Sequence, residues 1–208
     1  MGKSQSSRAW IHEHVTDPYV RQAKKEGWRS RAAFKLLEMD DKDHLFHAGD
    51  TVVDLGATPG GWSQVAAKKV GEQGRVFALD VLEMQGINQV TFIQGDFCED
   101  ATLKRLEAAL EGRRIKIILS DMAPNLSGIA ATDQARGMNL AELALDFARH
   151  WLTPDGIFLV KVFQGAGYPA FLTAMREIFM SVATRKPKAS RDRSAELYLL
   201  GRKLRPDD

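Results

Sequence analysis

The sequence predicts an α/β protein with a mostly parallel, doubly wound, seven-stranded sheet, helices on both faces and an antiparallel C-terminal strand. From residue 51 onward, short apolar runs alternate with helical segments, which is typical of a parallel sheet with helical crossovers. The run "GIFLVKVF" at 156–163 is apolar on both faces, as a strand covered by helices on both sides must be. The segment between the final two strands is too short for a helical crossover, so these strands are expected to be antiparallel.

Two helices are predicted ahead of the sheet, over 8–26 and 31–43, after a disordered tail at 1–7. At 208 residues the chain suits one α/β domain, so 8–208 is expected to be a single domain with a basic helical extension over 8–45. The predicted strands are 51–56, 75–81, 90–96, 115–121, 156–163, 181–187 and 195–201. The helices predicted to connect them are 60–70, 100–111, 134–152 and 168–180.

The net charge of +2 conceals an uneven distribution. Residues 1–35 carry eight Lys or Arg against three acids, and residues 185–205 carry eight against two. The segment between them, 36–184, carries 13 basic and 20 acidic residues. Two basic ends around an acidic middle favour a polyanionic partner, although a pair of solvated charged faces would have the same composition.

The remaining composition indicates a cytoplasmic protein. The single cysteine, Cys98, excludes an internal disulfide framework and fits a reducing compartment. No apolar run approaches the ~20 residues of a membrane helix. The five histidines lack the cysteine or acidic neighbours of a structural metal site. We therefore expect no metal and no membrane contact and, because no spare apolar helix stands out, a monomer.

The turn after the first strand, "DLGATPGGW" at 54–62, is rich in glycine. Gly56, Gly60 and Gly61 allow a tight turn and close approach of a ligand to the backbone, and Pro59 suits the start of a helix. The spacing differs from the GxGxxG pattern of dinucleotide-binding proteins, and the chain has no Walker lysine motif. A glycine-rich turn of this kind is by itself only a weak sign of a ligand site.

Carboxylates stand at or just after the ends of the next three strands, where ligands of such sheets bind. Asp80 is placed to hold the two hydroxyls of a ribose, and Asp96 to accept from an exocyclic amine. Asp121, in "SDMAPN", follows the fourth strand. Each alone would be ordinary turn chemistry, but together they describe a nucleoside pocket with a second reacting group beside it.

Lys161 stands in the middle of the apolar run 156–163. A buried ammonium is unfavourable unless it is paired, neutralised or used for its charge. A lysine near a strand end can instead extend its ammonium to water. The run alone leaves both explanations open.

The runs "DLGATPGGWSQ", "ALDV", "QGDF", "SDMAPNLSG" and "VKVFQG", in this order, closely resemble the FtsJ/RrmJ ribosomal RNA ribose methyltransferases of the RlmE type. The resemblance extends from about Arg8 to Arg202 and includes "SRAAFKL" and "SRDRSAELY". It implies a Rossmann-like fold and transfer of a methyl group from S-adenosylmethionine to a ribose 2′-hydroxyl. One departure is Thr58, where an alanine is expected, and this change removes no functional group.

The resemblance also implies the site residues. The cofactor residues are Gly60, Trp62, Asp80, Asp96 and Asp121, and the catalytic set is Lys35, Asp121, Lys161 and Glu196. Without the resemblance, Lys35 would be taken for an ordinary lysine of an amphipathic helix. Glu196 would likewise be taken for a surface residue of a strand.

These residue types suit the reaction, because a ribose hydroxyl attacks well only once it begins to lose its proton. Burial and the ammonium of Lys35 would lower the pKa of Lys161 and make it a general base. Asp121 and Glu196 would instead favour its ammonium form and orient it. The sequence leaves these two roles of Lys161 open.

The resemblance implies a substrate as well: a uridine in the aminoacyl-site loop of 23S ribosomal RNA, within the assembled 50S subunit. The residues alone support an RNA ribose, with the basic ends contacting phosphates, and no DNA partner is expected. One alternative is a transfer RNA or messenger RNA cap ribose methyltransferase. Others are a ribosome-assembly factor that acts by RNA binding and a nicotinamide-dependent dehydrogenase.

Overall fold

The structure is a computed structural model that describes residues 16–125, 127–191 and 194–206. The predicted tail 1–7 and the first part of the predicted helix 8–26 lie outside these residues. The helices are α1 (Pro18–Glu26), α2 (Ala32–Asp43), α3 (Gly61–Val70), α4 (Asp100–Leu110), α5 (Ala130–Trp151) and α6 (Tyr168–Ile178). The strands are β1 (Thr51–Leu55), β2 (Arg75–Asp80), β3 (Val90–Gln94), β4 (Ile115–Ser120), β5 (Leu152–Phe163), β6 (Phe179–Arg185) and β7 (Glu196–Leu204).

The strands form one seven-stranded sheet in the order β3-β2-β1-β4-β5-β7-β6. Strands β1 to β5 are mutually parallel, and β7 runs antiparallel to both β5 and β6. The predicted fold class is therefore confirmed. The strand order reverses between β1 and β4, and ligands of doubly wound sheets bind beyond the strand ends at this point.

Helices cover both faces of the sheet, as the two-sided burial of its strands requires. On one face, α2 and α3 pack over strand residues such as Val52 and Leu159. On the other face, α4, α5 and α6 pack over residues such as Ile118 and Phe158. Among the helices described, none has the length and apolarity needed to span a membrane.

Helix α1 of the N-terminal extension is capped at both of its ends. Asp17 caps the helix by accepting from the N–H of Tyr19 at 2.9 Å, and Pro18 occupies its first turn. Gly27 ends the helix in the left-handed conformation, with a φ of 78°. Arg31, just before α2, forms an ion pair with Asp17, so the starts of the two helices are linked.

The boundary between α6 and β6 differs from the prediction. The helix predicted over 168–180 ends at Ile178, and the strand begins at Phe179 instead of residue 181. Phe179 is fully buried and stacks on Phe158 of β5, with ring centroids 6.0 Å apart. Packing in the core therefore places Phe179 in the strand, although its position in the sequence is compatible with the end of α6 as well as with the start of β6.

Three other elements are longer than predicted. Strand β5 begins at Leu152 instead of residue 156, because Leu152 pairs with Ile115 of β4. Helix α5 begins at Ala130 instead of residue 134. Asp133 in its first turn accepts from the N–H groups of Ser127 at 2.7 Å and Gly128 at 3.2 Å, which orders the approach to the helix. Strand β7 continues to Leu204 because it pairs with β6 as far as the start of that strand.

Candidate active site

The four predicted catalytic residues come together at the carboxyl ends of the central strands. Lys161 lies near the end of β5, and Asp121 directly follows β4, its parallel neighbour. Helix α2 supplies Lys35, and Glu196 is the first residue of β7. Lys35 and Glu196 are in contact although 161 residues separate them in the sequence.

Lys161 is both buried and paired. Its Nζ donates to the backbone oxygen of Asp121 at 2.7 Å and lies 3.2 Å from Oδ1 of the same residue. Its side chain is 8% exposed, and Nζ lies 6.0 Å from the ring centroid of Phe163. Two of the three positions around Nζ are thus directed at Asp121, which leaves the third for another group.

Lys35 and Glu196 form the second ion pair of the site. Lys35 Nζ lies 2.5 Å from Glu196 Oε1, and each side chain is 12% exposed. Because both charges are largely removed from water, loss of one partner would leave the other unfavourably buried. This pair is therefore expected to act as a unit.

Tyr198 joins the two pairs, and it was not predicted from the sequence. Its hydroxyl donates to Asp121 Oδ1 at 2.9 Å and accepts from Lys35 Nζ at 3.3 Å. Burial, reinforced by the carboxylates of Asp121 and Glu196, holds the pKa of this phenol well above its usual range. Tyr198 thus keeps its proton and remains a donor. Because side chains alternate along a strand, Tyr198 lies on the same face as Glu196, two residues earlier. This spacing was the sign in the sequence that Tyr198 could belong to the site.

A cavity of about 580 Å³ opens beyond the carboxyl ends of β1 to β4. Its volume lies in the range of small-molecule sites. It is lined by residues that follow these strands and by α5, among them Gly56, Asp80, Gly95, Asp96, Met122 and Asn139. The predicted nucleoside residues Asp80 and Asp96 therefore share one cavity.

Backbone groups hold the two carboxylates in this cavity. Asp80 accepts from the N–H groups of Thr58 at 2.9 Å and Leu82 at 2.8 Å, and Asp96 accepts from the N–H of Cys98 at 2.9 Å. Each carboxylate keeps lone pairs for a ligand. The hydroxyl of Thr58, the one departure from the family pattern, donates to the backbone oxygen of Leu82 at 3.1 Å and so secures the loop after β2.

Neither Gly60 nor Trp62 is among the residues that line this cavity. Gly60 precedes α3 with a φ of 106°, and a Cβ there would lie 2.7 Å from Ile87 Cδ1, so the position requires glycine. Trp62 is buried: its Nε1 donates to the oxygen of Ala32 at 2.8 Å, and its ring centroid lies 5.6 Å from that of Tyr198. The indole N–H is therefore already used, and a contact of Trp62 with a cofactor would come from its backbone N–H in the first turn of α3.

A second cavity, of about 480 Å³, adjoins the Lys35–Glu196 pair. Its lining combines three cationic side chains with Glu196: Arg31, Lys35 and Arg191, together with Ala32 and Ser194. The two cavities have no lining residue in common. Guanidinium and ammonium groups at this density suit an anionic group such as a phosphate.

Asp54 is a buried carboxyl that the sequence did not mark as functional. It lies in β1 with no exposed surface, and its Oδ2 accepts from Ser63 Oγ at 2.6 Å. Its Oδ1 has no hydrogen-bond partner among the residues described. Burial raises the pKa of Asp54 to about 7.

Comparisons with known proteins agree with this geometry. The family model described as FtsJ-like methyltransferase matches residues 28–204. The "Ribosomal RNA large subunit methyltransferase E" of Dechloromonas aromatica is 64% identical over 205 residues, which cover 99% of this chain and 100% of that protein. The protein of the same name from Neisseria meningitidis serogroup B is 57% identical over 203 residues, or 98% of each chain. A crystal structure from Plasmodium falciparum, described as a ribosomal RNA methyltransferase, gives a TM-score of 0.77 at 29% identity over 85% of this chain and 98% of that one.

Proposed function

Because the chain belongs to the FtsJ-like methyltransferase family, we propose that it transfers a methyl group from S-adenosylmethionine to a ribose 2′-hydroxyl of large-subunit ribosomal RNA. The observation that carries the proposal is the buried Lys161 paired with Asp121, next to a cavity suited to a nucleoside. The target we propose is a uridine in the aminoacyl-site loop of 23S ribosomal RNA within the 50S subunit. The reaction would then take place in the cytoplasm, where bacterial subunits are assembled.

The residues of the larger of these two cavities, the one beyond the carboxyl ends of β1 to β4, fit S-adenosylmethionine. This cofactor supplies a methyl group already activated on a sulfonium. Asp80 would hold the ribose hydroxyls and Asp96 would accept from the adenine amine, since both carboxylates line the cavity and keep free lone pairs. Gly56, which also lines the cavity, lets the amino-acid end approach the backbone. Asp121 adds a negative charge next to the cavity residue Met122.

Lys161 is the group proposed to hold the ribose hydroxyl and to accept its proton. A neutral amine that directs its two N–H groups at the backbone oxygen and Oδ1 of Asp121 presents its lone pair at the third position. After proton transfer, the carboxylate of Asp121 stabilises the ammonium that forms. General base catalysis of this kind contributes on the order of 10²–10⁴-fold.

Tyr198, Lys35 and Glu196 are proposed to orient this centre. The Tyr198 hydroxyl fixes one carboxylate oxygen of Asp121, and Lys35 in turn donates to that hydroxyl. Glu196 balances the charge of Lys35. The hydrogen bonds therefore form one continuous chain from Glu196 to Lys161.

The basic cavity is proposed to receive a phosphate next to the target ribose. Arg31, in its lining, is held by Asp17 and by the backbone oxygen of Ala189. A guanidinium that is already fixed loses less conformational entropy on binding. The basic ends of the chain would extend these phosphate contacts along the RNA.

The test is methyl transfer from labelled S-adenosylmethionine to undermethylated large subunits, followed by mapping of alkali-resistant ribose linkages. Lys161→Ala should lower the rate roughly 10²–10⁴-fold while leaving cofactor binding intact. Lys116→Ala is the matched control, because Lys116 is also a strand lysine in contact with a carboxylate, that of Asp155, but lies outside the site. The control should retain the wild-type rate.

Three results would contradict parts of the proposal. Label on transfer RNA or on a messenger RNA cap, and none on the subunit, would keep the chemistry and replace the substrate. Wild-type transfer by Lys161→Ala would remove Lys161 from the mechanism. No transfer to any RNA would leave a protein that acts in ribosome assembly by binding.

A further inference from the structure

Asp54 has no part in the mechanism above, yet it lies in the strand that leads into the glycine-rich turn. We propose that Asp54 is a proton-linked counter-charge for the cofactor, partly protonated at neutral pH when the site is empty or holds the spent cofactor, and ionised when the methyl donor is bound. Asp54 would thus be a positioning residue that favours the donor over the product. This inference rests on the proposed function, since it takes S-adenosylmethionine as the cofactor.

The surroundings of Asp54 leave half of its carboxyl without a partner. Its strand neighbours are the apolar Ala78 of β2 and Leu119 of β4. The hydroxyl of Ser63 donates to Oδ2, and Oδ1 has no partner among the residues described. Buried polar atoms are nearly always satisfied, so an unpaired carboxyl oxygen at such a place indicates a missing interaction.

Asp54 lies near the end of β1, just before the turn that would carry the amino-acid end of the cofactor. Gly56, two residues further along the chain, lines the larger cavity. Ser63 belongs to the first turn of α3, which begins where the glycine-rich turn ends. The Asp54 carboxyl is thus hydrogen-bonded by Ser63, a residue of the helix that follows this turn.

The charged groups that act on Asp54 all oppose its ionisation. Asp121 at the end of β4 and Asp80 at the end of β2 add to the effect of burial, and the hydrogen bond from Ser63 opposes it; together they raise the pKa of Asp54 to about 7. Helix α3 faces Asp54 with the neutral Ser63 hydroxyl. A positive charge brought beside these three carboxylates lowers the pKa and expels the proton.

The reaction itself removes that positive charge. The ribose oxygen forms a bond to the methyl carbon, the S–C bond breaks with its electron pair left on sulfur, and the hydroxyl proton passes to Lys161. The sulfonium becomes a neutral thioether, so Asp54 regains a proton from solvent. The protein then holds the product less tightly relative to the donor as pH rises through neutrality.

The test is calorimetric titration of the full chain with S-adenosylmethionine and, separately, with S-adenosylhomocysteine, without RNA, in buffers of different ionisation enthalpy. The measured quantity is the number of protons released by wild type minus the number released by Asp54→Asn. This subtraction cancels protons that belong to the ligand itself. At pH 7 the difference should be about half a proton for the donor, because a group with a pKa of about 7 is half ionised there, and near zero for the product.

Two further variants test the same inference. Ser63→Ala removes a hydrogen bond that favours the ionised form, so the pKa of Asp54 in the free protein should rise. Proton release on binding of the donor should then continue to a higher pH than in wild type. This variant decides the question if Asp54→Asn does not fold. Asp43→Asn, which removes a carboxylate paired with Arg185 away from the cavity, should leave proton release unchanged.

Equal proton release by wild type and Asp54→Asn would overturn the inference, and so would an equal difference for the donor and the product. Failure of wild type to bind either ligand would overturn both the inference and the proposed function. Normal proton-linked binding without methyl transfer to RNA would support the inference and overturn the proposed substrate.

Discussion

At the scale of single residues, Tyr198 connects the two ion pairs of the site. Replacing Tyr198 with Phe keeps the buried ring and removes the hydroxyl that donates to Asp121. Hydrogen bonds to charged groups contribute about 1.5–3 kcal/mol, so methyl transfer should fall roughly tenfold or more. Affinity for S-adenosylmethionine should stay the same, because Tyr198 does not line the larger cavity. Initial rates and a cofactor titration of the same preparation measure both effects.

Tyr168→Phe is the control for this variant, since Tyr168 stands at the start of α6 and lines neither of the two cavities. It should transfer methyl groups at the wild-type rate. If Tyr198→Phe did the same, the carboxylate of Asp121 would be oriented by Lys161 alone. The chain of hydrogen bonds to Lys35 would then have no catalytic role.

At the scale of elements, α2 is joined to β6 by a bidentate ion pair. Asp43 accepts from Arg185 Nε at 2.7 Å and from its NH2 group at 2.6 Å, and these bonds lower the pKa of Asp43. A lowered pKa means that the stabilisation is complete above the unfolded value of about 3.9 and is lost as pH falls through the folded value. The free energy of unfolding of wild type should therefore decrease below about pH 4 more steeply than that of Asp43→Asn.

Urea unfolding of both proteins between about pH 2.5 and 7 measures this difference. The two curves should converge at the acid end, where Asp43 is protonated in wild type as well. Parallel curves over the whole range would show that the ion pair adds no net stability. In that case α2 would be held on the sheet by its apolar face alone.

The same elements show how far the sequence predicts the structure. The positions and directions of the strands follow from apolar runs and connection lengths, and Asp80 and Asp96 follow from the rule that ligands bind at strand ends. The start of β6 could not be placed, because Phe179 suits a helix end as well as a strand. Tyr198 and Asp54 were missed for another reason: their importance arises from contacts with Asp121 and Ser63, which are distant in sequence or on another element.

At the scale of the whole molecule, the basic ends should make RNA binding depend steeply on salt. If roughly six phosphates are neutralised, raising the salt from about 50 to 200 mM should weaken RNA binding by on the order of 10³-fold. Affinity for S-adenosylmethionine should change far less over this range. Filter binding of RNA and cofactor titration in the same buffers compare the two, and a flat response of RNA binding would exclude the basic ends as its main contact.

The position of β7 also sets the time at which the protein becomes an enzyme. Strand β7 leaves the ribosome after β5 and β6, yet it lies between them in the finished sheet. Its arrival brings Glu196 and Tyr198 to Lys35, which was synthesised more than 150 residues earlier. A nascent chain that stops before β7 has neither a neighbour for β6 nor a complete catalytic centre. If this centre is catalytic as proposed, methyl transfer is expected only after β7 has been added to the sheet.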